Sequence, residues 1–169
     1  TYHNEAVAAK IGWVGRPWAD RLMLGLSYAQ EYKEIQTGVR QETVYGKKHR
    51  HGHSFMPSLQ WRKRNLFVDN LDASFTLNYN KNARTNVDTA QVKYNWRGET
   101  HPLNSPGEQS LLHSRADNHN LNGTAKVDYT FRRTHTFTFS HTLNAFERSN
   151  TSLLAKVEQQ DAIKKRTAK

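Results

Sequence analysis

The sequence predicts an all-β fold, an antiparallel up-and-down sheet with long loops, on three observations. From Leu71 the side chains alternate without a slip, Leu71, Ala73, Phe75, Leu77 and Tyr79 against Asp72, Ser74, Thr76, Asn78 and Asn80. Only a β-strand sends successive side chains to opposite faces, so this stretch has one apolar and one polar face. The run is about ten residues long, enough to cross a bilayer's hydrocarbon at a barrel's tilt, whereas a globular strand is nearer five or six. Third, the polar connections differ in length: 16–20, 63–70 and 132–134 are short, 34–53 and 97–120 are long, and 81–86 breaks the order.

The remaining elements follow the same rhythm. Val7, Ala9, Ile11 and Trp13 make one side of a first strand, and Pro17, with its fixed φ and missing donor, suits the turn after it. Leu22, Leu24, Leu26, Tyr28 and Tyr32 oppose Arg21, Gly25, Ser27, Glu31 and Lys33 in a second strand over 21–33. From 34 to 53 the apolar rhythm is lost and Gly38, Gly46 and Gly52 punctuate a basic stretch, which reads as a loop. Phe55, Leu59 and Trp61 pair as a hairpin with the strand from Leu71. A weaker strand is expected over 87–96, with Ala90, Val92, Tyr94 and Trp96 on its apolar side. Pro102, Pro106 and Gly107 mark 98–120 as a surface loop. Leu121 to Phe131 alternates again, and His135 to about Phe146 returns with Phe137, Phe139, Leu143 and Ala145. The tail from Ser149 has helical spacing at Leu153, Leu154 and Val157, but its polar remainder cannot hold a lone helix, so it reads as a frayed strand start.

Composition narrows the class. The 169 residues allow one domain, and all of 1–169 reads as part of one β-barrel domain. Hydrophobic residues make up 36%, with mean hydropathy −0.90, below the usual range of about 45–50% and too little for a generous soluble core. Lys and Arg number 25 against 15 Asp and Glu, a net charge of +10 that suits nucleic acid, lipopolysaccharide or phospholipid headgroups. No run of like charges reaches five, so no nucleic-acid arm is visible and nucleic acid is not expected as a partner. Cysteine is absent, which excludes disulfides and thiol chemistry. Nothing near Thr1 has signal-peptide order, and no apolar run of about 18 residues exists, so the chain is soluble or spans as strands.

Candidate sites lie in the two long loops. His49, His51 and His53 recur at every second position, the spacing that turns three imidazoles to one side of an extended chain, and imidazole is a common metal ligand. Lys47, Lys48 and Arg50 beside them repel a cation, which favours a solvated basic loop, or one that touches lipopolysaccharide phosphates, over a metal site. His49, Arg50, His51, His53, His101 and Arg115 are therefore the candidates for ligand contact. No nucleophile elbow, zinc-protease motif or phosphate-cradling glycine loop is present, so neither an enzyme nor a cofactor is expected. Asn122-Gly-Thr124 matches a glycosylation acceptor by chance, inside a strand. Trp13, Trp18, Trp61, Tyr79, Tyr94, Trp96 and Tyr129 gather near strand ends, as interfacial aromatics do.

The Asn65-Leu-Phe turn leading into Leu71-Asp-Ala-Ser-Phe, the Asn78-Tyr-Asn end of that strand, Val87-Asp-Thr, Tyr94-Asn-Trp-Arg-Gly98 and Ser105-Pro-Gly-Glu108 together resemble the barrel region of TonB-dependent outer-membrane receptors of the Bacteroidota type. The resemblance implies a transmembrane barrel of about 22 strands filled by a plug, importing a scarce small nutrient, glycan or peptide with energy relayed by TonB. This stretch would be a middle segment of the wall, in the outer membrane of a Gram-negative bacterium. Its partners would be outer-membrane lipid, lipopolysaccharide and, through a plug not included here, the TonB system. The alternative is a soluble basic antiparallel β-domain that binds nucleic acid or another polyanion, stacking bases on Tyr and Trp.

Overall fold

Side-chain alternation carries this chain into strands far longer than a globular sheet needs. The computed structural model describes residues 1–154, 157–159 and 165–168. Its strands are β1 (Tyr2–Arg16), β2 (Ala19–Glu34), β3 (His49–Lys63), β4 (Leu71–Asp88), β5 (Val92–Tyr94), β6 (Thr100–Pro102), β7 (Leu112–Phe131), β8 (His135–Ser152), β9 (Val157–Gln159) and β10 (Lys165–Ala168). All pairings are antiparallel, in the order β1-β2-β3-β4-β7-β8-β10, with β9 also on β8 and β5-β6 a separate small hairpin. Among the described residues the sheet is open, with β1 and β10 as its edges, and it does not close on itself.

Cross-strand partners share a face, so register shows how the apolar side chains line up. Trp13, Leu22, Trp61, Phe75, Ala125 and His141 form one row, and Ile11, Leu24, Leu59, Leu77, Gly123 and Leu143 the next. Below them Leu71 meets Tyr129, which meets Phe137. Above them the row Val7, Tyr28, Phe55, Lys81, His119 and Glu147 turns polar from β4 onward. Beyond it the same face carries Glu5, Gln30, His53 and Asp117, then His3, Tyr32, His51, Thr85 and Arg115. One face thus bears an apolar band near the short turns and a polar extension toward the long loops. The opposite face is polar along most of its length, with Asn78, Asn122 and Asn144 in one row and Asn82 and Asn118 in another.

Among the described residues the buried apolar side chains are only Ala19, Tyr45, Ala73, Ala83 and Ala90. Val7, Ile11, Phe137 and Phe139 are each more than 60% exposed. A soluble sheet hides such a face beneath a second layer, and no described element covers it.

Several boundaries differ from the sequence expectation. β4 runs through 81–86 to Asp88, because its backbone is paired on both sides with β3 and β7 where its side chains have ceased to alternate. Of the strand expected over 87–96, Val87 and Asp88 end β4 in the main sheet, and 92–94 form β5, paired with β6 apart from it. His49, Arg50, His51 and His53 lie on β3 rather than in a loop, and Arg115 lies on β7. A hydrogen-bond ladder continues through polar sequence when its neighbours supply partners, and hydropathy does not register that. The linkers become 17–18, 64–70 and 132–134 at one end and 35–48 and 89–111 at the other, so the exception at 81–86 disappears. At 132–134, Arg132 and Arg133 both take positive φ, of 49° and 60°, as a tight hairpin turn requires. The tail strand expected from Ser149 is in part the end of β8 and in part β9 and β10; the rest of it lies outside the described residues.

Candidate functional site: the polar groove and the joined loops

Strand parity decides what each candidate residue can touch. Arg50 points to the polar face, while His49, His51 and His53 on the same strand point to the face bearing the apolar band. On the polar face, toward the long loops, a groove of about 600 Å³ is lined by Glu31, Arg50, Asn80, Asn82, Arg84 and Asn118 among others. Glu31 Oε1 lies 3.3 Å from Arg84 Nη2 and 3.9 Å from Arg50 Nε. Asn118 Nδ2 donates to Asn82 Oδ1 at 2.7 Å. Among the described residues, Arg50 Nε and Asn80 Oδ1 are buried and find no hydrogen-bond partner. A donor and an acceptor left in this way among fixed amides and guanidinium groups suit the hydroxyl, amide and carboxylate groups of a polar ligand.

The long loops above the groove are not two free segments. The Asp88 carboxylate, 1% exposed, accepts from the backbone N–H of Glu108 (2.6 Å), Gln109 (3.0 Å) and Ser110 (3.2 Å). The Glu108 carboxylate, in turn, accepts from the N–H of Gly46 (2.5 Å), Lys47 (2.9 Å) and Lys48 (2.9 Å). Lys48 Nζ lies 3.9 Å from Asp88 and 4.7 Å from the centre of the Tyr45 ring. Val44 bridges to Tyr94, and a Cβ at Gly46 would overlap the Tyr94 ring, so glycine lets the β5-β6 hairpin seat against the 35–48 loop. Two carboxylates thus stitch both loops to the end of β4.

The other candidates fall elsewhere. His101 is exposed on β6. Arg115, on the band-bearing face, is held bidentately by Asp117 at 2.9 Å, which raises its pKa further. His49 lies against Tyr32, ring centres 5.4 Å apart, and 6.2 Å from the His51 ring. Among the described residues no group of three or more His, Asp or Glu side chains is placed to hold a metal ion, and strand spacing is why: alternate residues on one strand stand about 7 Å apart.

His51 titrates below the ordinary histidine range, first because of burial, then because His49, His113, Arg115 and His53 repel its charge. The folded state therefore prefers neutral His51. Its contribution to stability is full above the unfolded value of about 6.5 and is lost as pH falls through that value toward the folded one. We expect His51→Gln to flatten the loss of thermal stability on acidification from about pH 7.5 to about pH 5, followed by heating in detergent at each pH. An unchanged slope would remove His51 from the account.

The asparagines at alternate positions, Asn78, Asn80 and Asn82 on β4 and Asn118, Asn120 and Asn122 on β7, were a signal in the sequence for the polar wall. Asp88, Glu108 and the Glu31–Arg84 pair carried none, since each depends on a contact between distant segments. Compared with protein families, curated proteins and solved structures, the chain matches none.

Proposed function

We propose that the sheet is part of the wall of an outer-membrane β-barrel in a Gram-negative bacterium, most like that of a TonB-dependent receptor. In this reading the apolar band meets lipid, and the polar face lines the path of an imported hydrophilic nutrient. One observation carries it: a single face is apolar only over a band of limited height and polar beyond it, toward the long loops. From Leu71 to Tyr79 the band extends about 27 Å along the strand at about 3.4 Å per residue. At a tilt of about 40° that approaches the ~25 Å apolar height of outer-membrane barrels. Tyr129 borders it on the turn side, and Tyr28, Phe55 and Tyr79 on the loop side, as interfacial girdles do, while Trp13 and Trp61 share the row of Phe75 within it. The strands continue past the band on one side only, which supports the usual arrangement of short periplasmic turns and long outer loops. The open edges would pair with further strands of the wall.

The work of such a chain is passage and not bond-making, with first contact at the joined loops and the Glu31–Arg50–Arg84 groove. Topology tests it. On intact cells carrying the whole barrel, protease or an epitope tag should reach 38–43 and 103–107, while 132–134 should be protected until the outer membrane is opened. Equal access to both sets refutes the arrangement. Residues 1–169 alone should require detergent, since bare edges and an uncovered apolar face both promote association; a monodisperse monomer in plain buffer would favour a soluble polyanion-binding sheet instead.

A further inference from the structure

Six of the nine histidines stand on the band-bearing face just beyond the band: His3 on β1, His49, His51 and His53 on β3, His113 and His119 on β7. β4 runs between the last two groups and presents small side chains there, with Ala83 5% and Thr85 8% exposed. The taller side chains on either side leave β4 as a narrow, mostly covered furrow. Its floor is Ala83 and Thr85, one wall is His51 and His53, and the other is Arg115 and Asp117. Register sets His51, Thr85 and Arg115 in one row, with the outer two about 10 Å apart across two strand spacings. Immediately below, a recess lined by Tyr79, His119, Leu121, Ala145 and Glu147 joins the polar belt to the apolar band, and the Tyr79 hydroxyl lies 2.6 Å from His119 Nδ1.

We propose that the His51–Thr85–Arg115 row binds the phosphate of an anionic lipid in the outer leaflet, whose acyl chains lie along the band below, and that the histidines make this binding pH-dependent. The inference rests on the outer-membrane reading. A phosphate at Thr85 takes the hydroxyl as donor, the Nη1 edge of Arg115 from one side, its Nε and Nη2 staying on Asp117, and His51 from the other, a charge-assisted contact when His51 carries its proton. The lipid source follows from continuity: the furrow opens onto an uncovered apolar surface, which free phosphate would not use.

Charge makes the site a switch. Among the described side chains, the titratable and charged groups of this belt are His3 and Glu5 on β1, Tyr32 and Glu34 on β2, His49, His51 and His53 on β3, Lys81 on β4, His113, Arg115, Asp117 and His119 on β7, and Glu147 on β8. Of these, with histidines neutral, Lys81 and Arg115 stand against Glu5, Glu34, Asp117 and Glu147; with all six histidines protonated, eight cations stand against four anions. Burial first, and then the charges of His49, His113, Arg115 and His53, keep the proton off His51; an anion offsets the second of these, so phosphate binding and proton uptake favour each other.

The test uses the full barrel-bearing protein, refolded in phosphatidylcholine vesicles that contain either lipid A or lipid A stripped of its phosphates, then extracted and analysed for retained glycolipid by native mass spectrometry. Retention of the phosphorylated form should be strong at about pH 5.5 and fall about tenfold by about pH 7.5. Arg115→Gln should weaken it about tenfold at either pH, and His51→Gln should reduce the pH dependence, leaving the shallower slope that the other five histidines supply. Protease patterns on the vesicles identify any variant that fails to fold, and Thr85→Val, which keeps shape and removes only the hydroxyl, should weaken retention in a folded protein. Equal retention of phosphorylated and stripped lipid A overturns the site while leaving the barrel reading intact. Full displacement by inorganic phosphate at equal concentration overturns the lipid source. A chain that never enters vesicles fails the barrel reading first, and with it the proposal.

Discussion

Asp88→Ala should free the 107–111 segment and destabilise the joined loops by about 2–3 kcal/mol, because three backbone N–H groups lose a charged acceptor, one of them, that of Glu108, in a buried place. Amide hydrogen exchange checks this directly. Residues 108–110 should lose protection, and 46–48 should follow, because the Glu108 carboxylate that holds them is itself positioned through Asp88. Glu108→Gln should expose 46–48 more than 108–110, since the backbone of Glu108 still reaches Asp88. The band rows should keep their protection in both variants. Unaltered exchange at 108–110 in Asp88→Ala would show that the loops hold by other contacts.

The second large effect concerns Phe75, which faces Trp61 and Ala125 inside the band, while Thr76 next to it faces the polar side. Phe75→Lys should cost roughly 2–4 kcal/mol by depth-dependent insertion into lipid, and Thr76→Lys should cost little. A packed soluble core would also reject lysine at Phe75, so Phe75→Leu separates the two environments. Lipid tails conform to either shape and should accept leucine almost freely, whereas a close-packed core should lose on the order of 1 kcal/mol or more to the changed volume. Refolding yield of the whole barrel into lipid vesicles is the measurement. A large defect in both Phe75→Lys and Phe75→Leu points to a packed core and against the membrane reading. A harmless Phe75→Lys overturns the face assignment of β4 altogether.

Alternation was sufficient to read the all-β antiparallel class and the inward halves of β1, β2, β3, β4, β7 and β8, because within the apolar band each residue's environment is set by its parity alone. Pro17 and the run 132–134 likewise announced their turns, since backbone preference is local. What alternation could not show was how far each strand runs. Beyond Tyr79 on β4 and before Leu121 on β7 the side chains on both faces are mostly polar, so hydropathy has little contrast to report. The strands continue there because each backbone finds a ladder partner on both sides, a property of neighbours distant in sequence.

The candidate sites divided along the same line. His49, His51 and His53 were legible as sharing one side of an extended segment, and they do share a face. Arg50, chosen with them, lies on the other face, where Glu31 from β2 and Arg84 from β4 meet it across the sheet. Composition and period by themselves determined a strand-built chain with one apolar and one polar face, since both follow from side chains taken one at a time. Only the tertiary structure decided which polar residues meet, the Asp88–Glu108 stitching, the groove at Arg50 and the row joining His51 to Arg115, because those depend on register between strands tens of residues apart, and register is an energy of pairs.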